Sequence, residues 1–172
     1  MTPTGLTELA PAKVNLTLRV TGRRDDGYHL LDSVVVFTDF GDRLSLTPHD
    51  LASDHLTLGG PFAAALAEAP AADNLVLRAL DGFRRRLAPV PPTRAHLTKN
   101  LPVAAGIGGG SSDAAACLRL LARRAGIALA DSRLAALAAD LGADVPVCLR
   151  GRSARVTGIG DGVEDLPKWP RL

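Results

Sequence analysis

The stretch Leu101–Ala116, LPVAAGIGGGSSDAAA, constrains the fold of this chain more than any other. Gly106, Gly108, Gly109 and Gly110 put four glycines into five positions, which removes the Cβ atoms that would keep a ligand away from the backbone. Strand signals precede the run over Arg94–Thr98, and an Ala/Leu helical pattern follows over Ser112–Ala125. Ser111 and Ser112 are expected to cap that helix, so that its free N–H groups and positive dipole end face the loop. Such a place binds anions, and the phosphates of a nucleotide are the usual guest. Two common phosphate-loop patterns fail. The Walker A lysine is missing, because no Lys or Arg follows the glycines until Arg119, and G-x-G-x-x-G breaks at Ser111. A flexible turn before a capped helix is the plainer reading, and the strand–loop–helix context weighs against it. The Gly158–Gly162 cluster has no following helix and reads as a hairpin turn.

Composition narrows the classes. The chain has 172 residues, 47% hydrophobic and 22% charged, which suits one ordinary domain with a packed core. Cys117 and Cys148 have no partner spacing, which excludes a disulfide framework and a cysteine zinc site. His49, His55 and His96 show no metal spacing either. A net charge of +2 and 3% aromatic residues weigh against a nucleic-acid partner. Arg84-Arg85-Arg86 and Arg123-Arg124 read as solvated helix faces. No apolar run is long enough to span a bilayer, and MTPTGLTELA lacks the layout of a signal peptide. The chain is therefore expected to be soluble and cytoplasmic, with no membrane partner.

Strand and helix patterns alternate, which predicts a mixed α+β domain. Val14, Leu16, Leu18 and Val20 alternate with Lys13, Asn15, Thr17 and Arg19, predicting a half-buried strand with Lys13 and Asn15 together on its polar face. A turn follows at Thr21–Gly27. Leu30–Asp39, Arg43–Thr47 and His55–Leu58 read as three further strands. Helices are predicted at Phe62–Glu68, at Asn74–Leu87 with Asp73 or Asn74 as cap, and at Ser132–Leu141 with Asp131 as cap. Gly142–Leu149 is ambiguous between helix and strand, and Ser153–Thr157 reads as the last strand.

The string P-x-x-x-G-I-G-G-G-S-S-D-A-A at Pro102–Ala115 resembles the phosphate loop of the GHMP kinases. PAKVNLTLRVTGRRDDGYH at Pro11–His29 and GADVPVCL at Gly142–Leu149 are similar to the 4-diphosphocytidyl-2-C-methyl-D-erythritol kinases within that superfamily. The three motifs stand in the family's order over nearly the whole chain. The resemblance implies a GHMP-kinase N-terminal domain, a two-layer α+β sandwich like domain 2 of ribosomal protein S5, with a left-handed βαβ unit.

It also implies roles. Lys13 and Asp144 would be catalytic: Asp144 accepts the proton of the substrate hydroxyl, and Lys13 beside it offsets charge at the transferred phosphate. Taken alone, Asp144 reads as a helix or turn cap and Lys13 as a solvated strand residue. ATP would contact Lys99, Pro102, Ala104, Ala105, Gly106, Gly108, Gly109, Gly110, Ser111 and Ser112, although a surface role for Lys99 is equally open. Asn15, Tyr28, His29 and Asp144 would bind a small molecule, the cytidine-diphosphate-linked methylerythritol. Tyr28 would stack on the base and His29 would read its polar edge. A turn exit with two rings packed on a rim is the alternative. ATP is implied with Mg²⁺, held mainly by phosphates and water, and no metal-ligating residue is assigned.

The family's enzymes have two domains. Residues 1–172 correspond to the N-terminal, ATP-binding one, and the C-terminal domain is expected to be absent, as a fragment or a natural truncation. Exposed apolar surface and self-association are then expected. Three functions compete: this kinase, a non-catalytic nucleotide-binding half, and another small-molecule kinase of the superfamily. A Tyr-His pair favours a substrate that carries a base.

Overall fold

The structure is a computed structural model that describes residues 5–27, 29–50, 52–67, 70–160, 162–166 and 172. A single mixed sheet carries one layer of helices. In chain order the strands and helices are β1 (Leu6–Arg23), β2 (His29–Pro48), β3 (His55–Gly59), α1 (Ala63–Ala67), α2 (Leu75–Arg86), β4 (Thr93–Thr98), α3 (Gly109–Ala125), α4 (Ser132–Leu141), α5 (Val145–Arg150), β5 (Ala154–Gly158) and β6 (Gly162–Asp165). A 3₁₀ turn, Ala71–Asp73, precedes α2.

The sheet is built around β2. One edge of β2 pairs antiparallel with β1 along nearly its whole length. The other edge is shared: Arg43–Pro48 pairs with β4 and Leu31–Val35 with β5. Between those partners, the Leu172 N–H donates to the Phe37 carbonyl at 3.1 Å, and the Asp39 N–H donates to the Leu172 carbonyl at 2.8 Å. β3 lies parallel to β4, the only parallel pair described, with α1 and α2 forming the crossover that parallel pairing requires.

Helix α3 is the axis of the core. Ser112–Ala122 are all buried except Arg119, so the helix is enclosed on nearly every side. Phe37, Leu44 and Leu97 of the sheet meet Leu80, Phe83, Leu118, Leu121 and Leu134 of the helices in one cluster. The predicted caps of α2 and α4 hold: Asn74 accepts from the Val76 N–H and Asp131 from the Arg133 N–H.

Several expectations are corrected. Leu30–Asp39 and Arg43–Thr47 are one strand, because Gly41 lets the chain run straight past β1. A Cβ on Gly41 would lie 2.1 Å from the Ala10 carbonyl oxygen. The apolar face predicted for β1 is not buried: Leu16, Leu18 and Val20 are 43%, 57% and 61% exposed. Residues 15–21 are exposed whichever way they point, since this half of β1 forms an open arm with the first part of β2. Register shifts at Pro11/Lys13, Asn15/Thr17 and Val20/Gly22 also break the strict alternation. Helix α3 begins at Gly109, before Ser111 and Ser112. Its N-cap is Gly108, with no side-chain cap bond. The ambiguous Gly142–Leu149 segment contains helix α5, and β6 follows the strand expected to be last.

Candidate active site

The loop between β4 and α3 is shaped by left-handed backbone. Gly106 and Gly108 have φ of 74° and 65°, and Ala104 has φ of 58°. This geometry suits glycine and turns the chain sharply into α3. The Ser112 N–H already donates to the Gly108 carbonyl at 2.8 Å, so Gly109, Gly110 and Ser111 are the helix-start residues whose N–H groups lack an intrahelical partner. Here the first correction becomes functional. Ser111 and Ser112 do not cap the helix; they lie inside its first turn, and the Ser112 hydroxyl is buried without a partner.

A cavity of about 310 Å³ lies over the loop. Lys99, Pro102–Ser111 and Asp113 line it together with Leu66, Asp73 and Asn74. Every predicted nucleotide-contacting residue except Ser112 lines it. A Cβ built on Gly106 meets nothing within 4 Å, so the space beyond that glycine is open.

Lys13 joins the loop to the rest of the site. Its backbone N–H donates to the Ile107 carbonyl at 2.9 Å. A Cβ on Gly108 would lie 3.0 Å from Lys13 Cβ and 3.1 Å from Cε, so the glycine leaves the channel along which the lysine stem passes. Lys13 Nζ then donates to Asn15 Oδ1 at 3.1 Å and pairs with Asp144 Oδ1 at 3.1 Å. The two ends of this ion pair differ in exposure: the Lys13 side chain is 5% exposed and that of Asp144 is 49%. Asp144 occupies the N-cap position of α5 but makes no side-chain cap bond. The plain capping role open to it on sequence alone is therefore not the one it adopts.

Lys99 is neither a surface residue nor a free phosphate ligand. It is buried and its ammonium pairs with Asp42 and, at 2.9 Å, with Asp113. Burial alone would lower the Lys99 pKa, but the charges and hydrogen bonds of Asp113 and Asp42 raise it. Asp113 is pushed up to about 7 by burial, against the opposing pull of Lys99 and with a further push from Asp42. Sequence reasoning missed Asp42 and Asp113 as site residues. Asp113 stood in the loop motif without a role, and Asp42 carried no local signal. The thiol of Cys148 is pushed up to about 12 by burial, and that of Cys117 also rises, so neither is a nucleophile at neutral pH.

The substrate-binding set is only partly gathered. Asn15 touches Lys13, and Lys13 touches Asp144. His29 sits exposed at the start of β2, opposite Arg23, while Lys13 pairs with Phe37. Along an extended strand that offset amounts to roughly 25 Å. Tyr28 lies outside the described residues.

The chain has clear likenesses among known proteins. Residues 74–152 match the family model described as the GHMP kinases N terminal domain. A 4-diphosphocytidyl-2-C-methyl-D-erythritol kinase of Rhizobium johnstonii is 52% identical over 166 residues, covering 96% of this chain and 54% of its own length. One of Ruegeria pomeroyi is 55% identical over 163 residues, covering 95% and 54%. A crystal structure of 4-(cytidine 5'-diphospho)-2C-methyl-D-erythritol kinase superposes with a TM-score of 0.73 at 40% identity, over 94% of this chain and 55% of that one. The chain thus spans about half the length of the relatives it matches. Residues 74–152 thus match the GHMP kinases N terminal domain, within a chain whose fold is similar over 94% of its length to the corresponding half of a solved 4-(cytidine 5'-diphospho)-2C-methyl-D-erythritol kinase.

Proposed function

We propose that this chain carries the ATP site and the proton-transfer pair of a kinase that phosphorylates the 2-hydroxyl of 4-diphosphocytidyl-2-C-methyl-D-erythritol, in non-mevalonate isoprenoid synthesis. The observation that carries the reading is the Lys13–Asp144 ion pair, 3.1 Å long and packed against the glycine loop. The residues around the cavity suit a nucleotide triphosphate: free helix-start N–H groups, an unpartnered Ser112 hydroxyl and open space at Gly106. ATP supplies the phosphoryl group when bound, with Mg²⁺ held by its phosphates and by water.

The half-exposed Asp144 carboxylate is open to a substrate hydroxyl and would accept its proton as attack begins. Lys13, fixed by Ile107 and Asn15, presents its ammonium where negative charge grows on the transferred group. Asn15 and His29, with Tyr28, would hold the substrate, His29 reading the edge of the cytosine.

The test is ADP release by the 172-residue chain with Mg-ATP and the diphosphocytidyl substrate, beside Asp144→Asn. Substrate-dependent turnover abolished in the variant supports the assignment, and turnover equal to the parent's refutes it.

A further inference from the structure

Beneath the glycine loop lies a buried group of three ionisable side chains that the proton-transfer pair does not use. Asp42, Lys99 and Asp113 come from β2, the end of β4 and the first turns of α3, and all three are buried. Asp42 Oδ1 accepts from the backbone N–H groups of Asn100 at 2.6 Å and Leu101 at 2.8 Å, the residues that enter the loop. Its other oxygen accepts from Lys99 Nζ. The Lys99 ammonium also donates to Asp113 Oδ2 at 2.9 Å, on the helix that leaves the loop. The Lys99 backbone is itself tied to Gly59, its N–H donating to that carbonyl at 2.7 Å. A Cβ on Gly109 would lie 3.5 Å from Lys99 Nζ, so the first residue of α3 sits directly on the ammonium.

We infer that Asp42, Lys99 and Asp113 form an internal clamp that fixes the entry and the exit of the phosphate loop to one strand, making them positioning residues for nucleotide binding. The inference rests on the nucleotide reading of the loop. Its physical logic is preorganisation. A loop with three left-handed residues and few side chains has many conformations open to it, and a free loop would have to lose that freedom when phosphate binds. The clamp fixes both ends before the ligand arrives. Buried ion pairs are costly to form from hydrated charges, so a triad kept in the core points to a geometric use more than to a gain in stability. Asp113 has one oxygen without a partner, and that oxygen is the clamp's least satisfied point.

Asp113→Asn keeps the side-chain shape and an oxygen for Lys99, and leaves the Lys99–Asp42 pair in place. Lys99→Met is the harsher companion. At pH 8, where the Asp113 carboxyl is ionised, hydrogen exchange of the loop amides is followed with that of the sheet for parent and variants, and ADP and ATP affinities are titrated. The clamp predicts at least tenfold faster exchange over residues 103–108 in Asp113→Asn, with β2 and β4 protection unchanged, and at least tenfold weaker nucleotide binding. A merely structural role predicts loss of protection everywhere together, and that result overturns the proposal. Loop exchange and affinity within twofold of the parent in Asp113→Asn overturn it as well. If Lys99→Met does not fold, Asp113→Asn alone decides. If the parent binds no nucleotide, the functional reading falls while the loop exchange still judges the clamp.

Discussion

Gly108→Ala probes the contact between loop and lysine without removing either partner. Gly108 has φ of 65°, a conformation that costs a residue with a Cβ about 1–2 kcal/mol. The new methyl would also stand 3.0 Å from Lys13 Cβ and 3.1 Å from Cε, closer than such carbons sit, so the lysine stem or the start of α3 must shift. Overpacking of this kind adds about 1–2 kcal/mol. Gly106→Ala is the matched control: its φ is 74°, but its Cβ meets nothing within 4 Å, so only the backbone cost applies. In a chain of this size the extra contact is worth roughly 3–6 °C of melting temperature. Thermal melts are expected to place Gly108→Ala below Gly106→Ala by that margin. ADP release is expected to fall further in Gly108→Ala than its stability loss explains, because Lys13 is moved from Asp144. Gly106→Ala is expected to weaken nucleotide binding with a smaller change in melting. Equal melting temperatures and equal turnover in the two variants would refute the packing argument.

Two other outcomes follow from burial. Asp113 is raised to about 7 from the 3.8 of an ordinary aspartate, so between those values the folded chain holds a proton that the unfolded chain releases. Stability contributed by this group is complete below pH 3.8 and is lost as pH rises to about 7, by up to about 1.4 kcal/mol per pH unit. Urea midpoints at pH 5, 6, 7 and 8 are expected to fall more steeply for the parent than for Asp113→Asn, and parallel curves would count against it. Cys117 and Cys148 are both buried, so an alkylating reagent is expected to label neither in the folded chain and both in urea, as read by mass spectrometry. Rapid labelling of the folded chain would contradict the packing around α3.

Local signals carried much of this structure and failed at identifiable places. The period of two correctly put Lys13 and Asn15 side by side, and Asn74 and Asp131 cap their helices as side-chain chemistry predicts. Ser111 and Ser112 gave the same kind of cap signal, but Gly108 in the left-handed region starts α3 earlier, and packing on Lys99 holds it there. The sequence Asp39-Phe40-Gly41-Asp42 has the composition of a turn. It is strand because Gly41 passes closely over Ala10, a long-range contact no window of sequence contains. Leu16, Leu18 and Val20 had the alternation of a core face, yet among the described residues no layer covers the arm they sit on. The Lys13–Asp144 pair was legible only through family resemblance. Lys99 and Asp113 stood in or beside the loop motif, but their pairing with each other and with Asp42 was not legible, since only the fold brings the three together.

The long strand β2 has a mechanical meaning for all of this. It is hydrogen-bonded to β1 on one side and to β4 and β5 on the other, so three ladders must agree on its register at once. A slip by one residue would turn over every side chain along it and break all three ladders together. Asp42 lies on this strand, and Lys13 is held opposite Phe37 on it. The strand therefore serves as the molecule's ruler: the spacing between the lysine and the loop is set when the sheet assembles, and no small movement of one element can retune it.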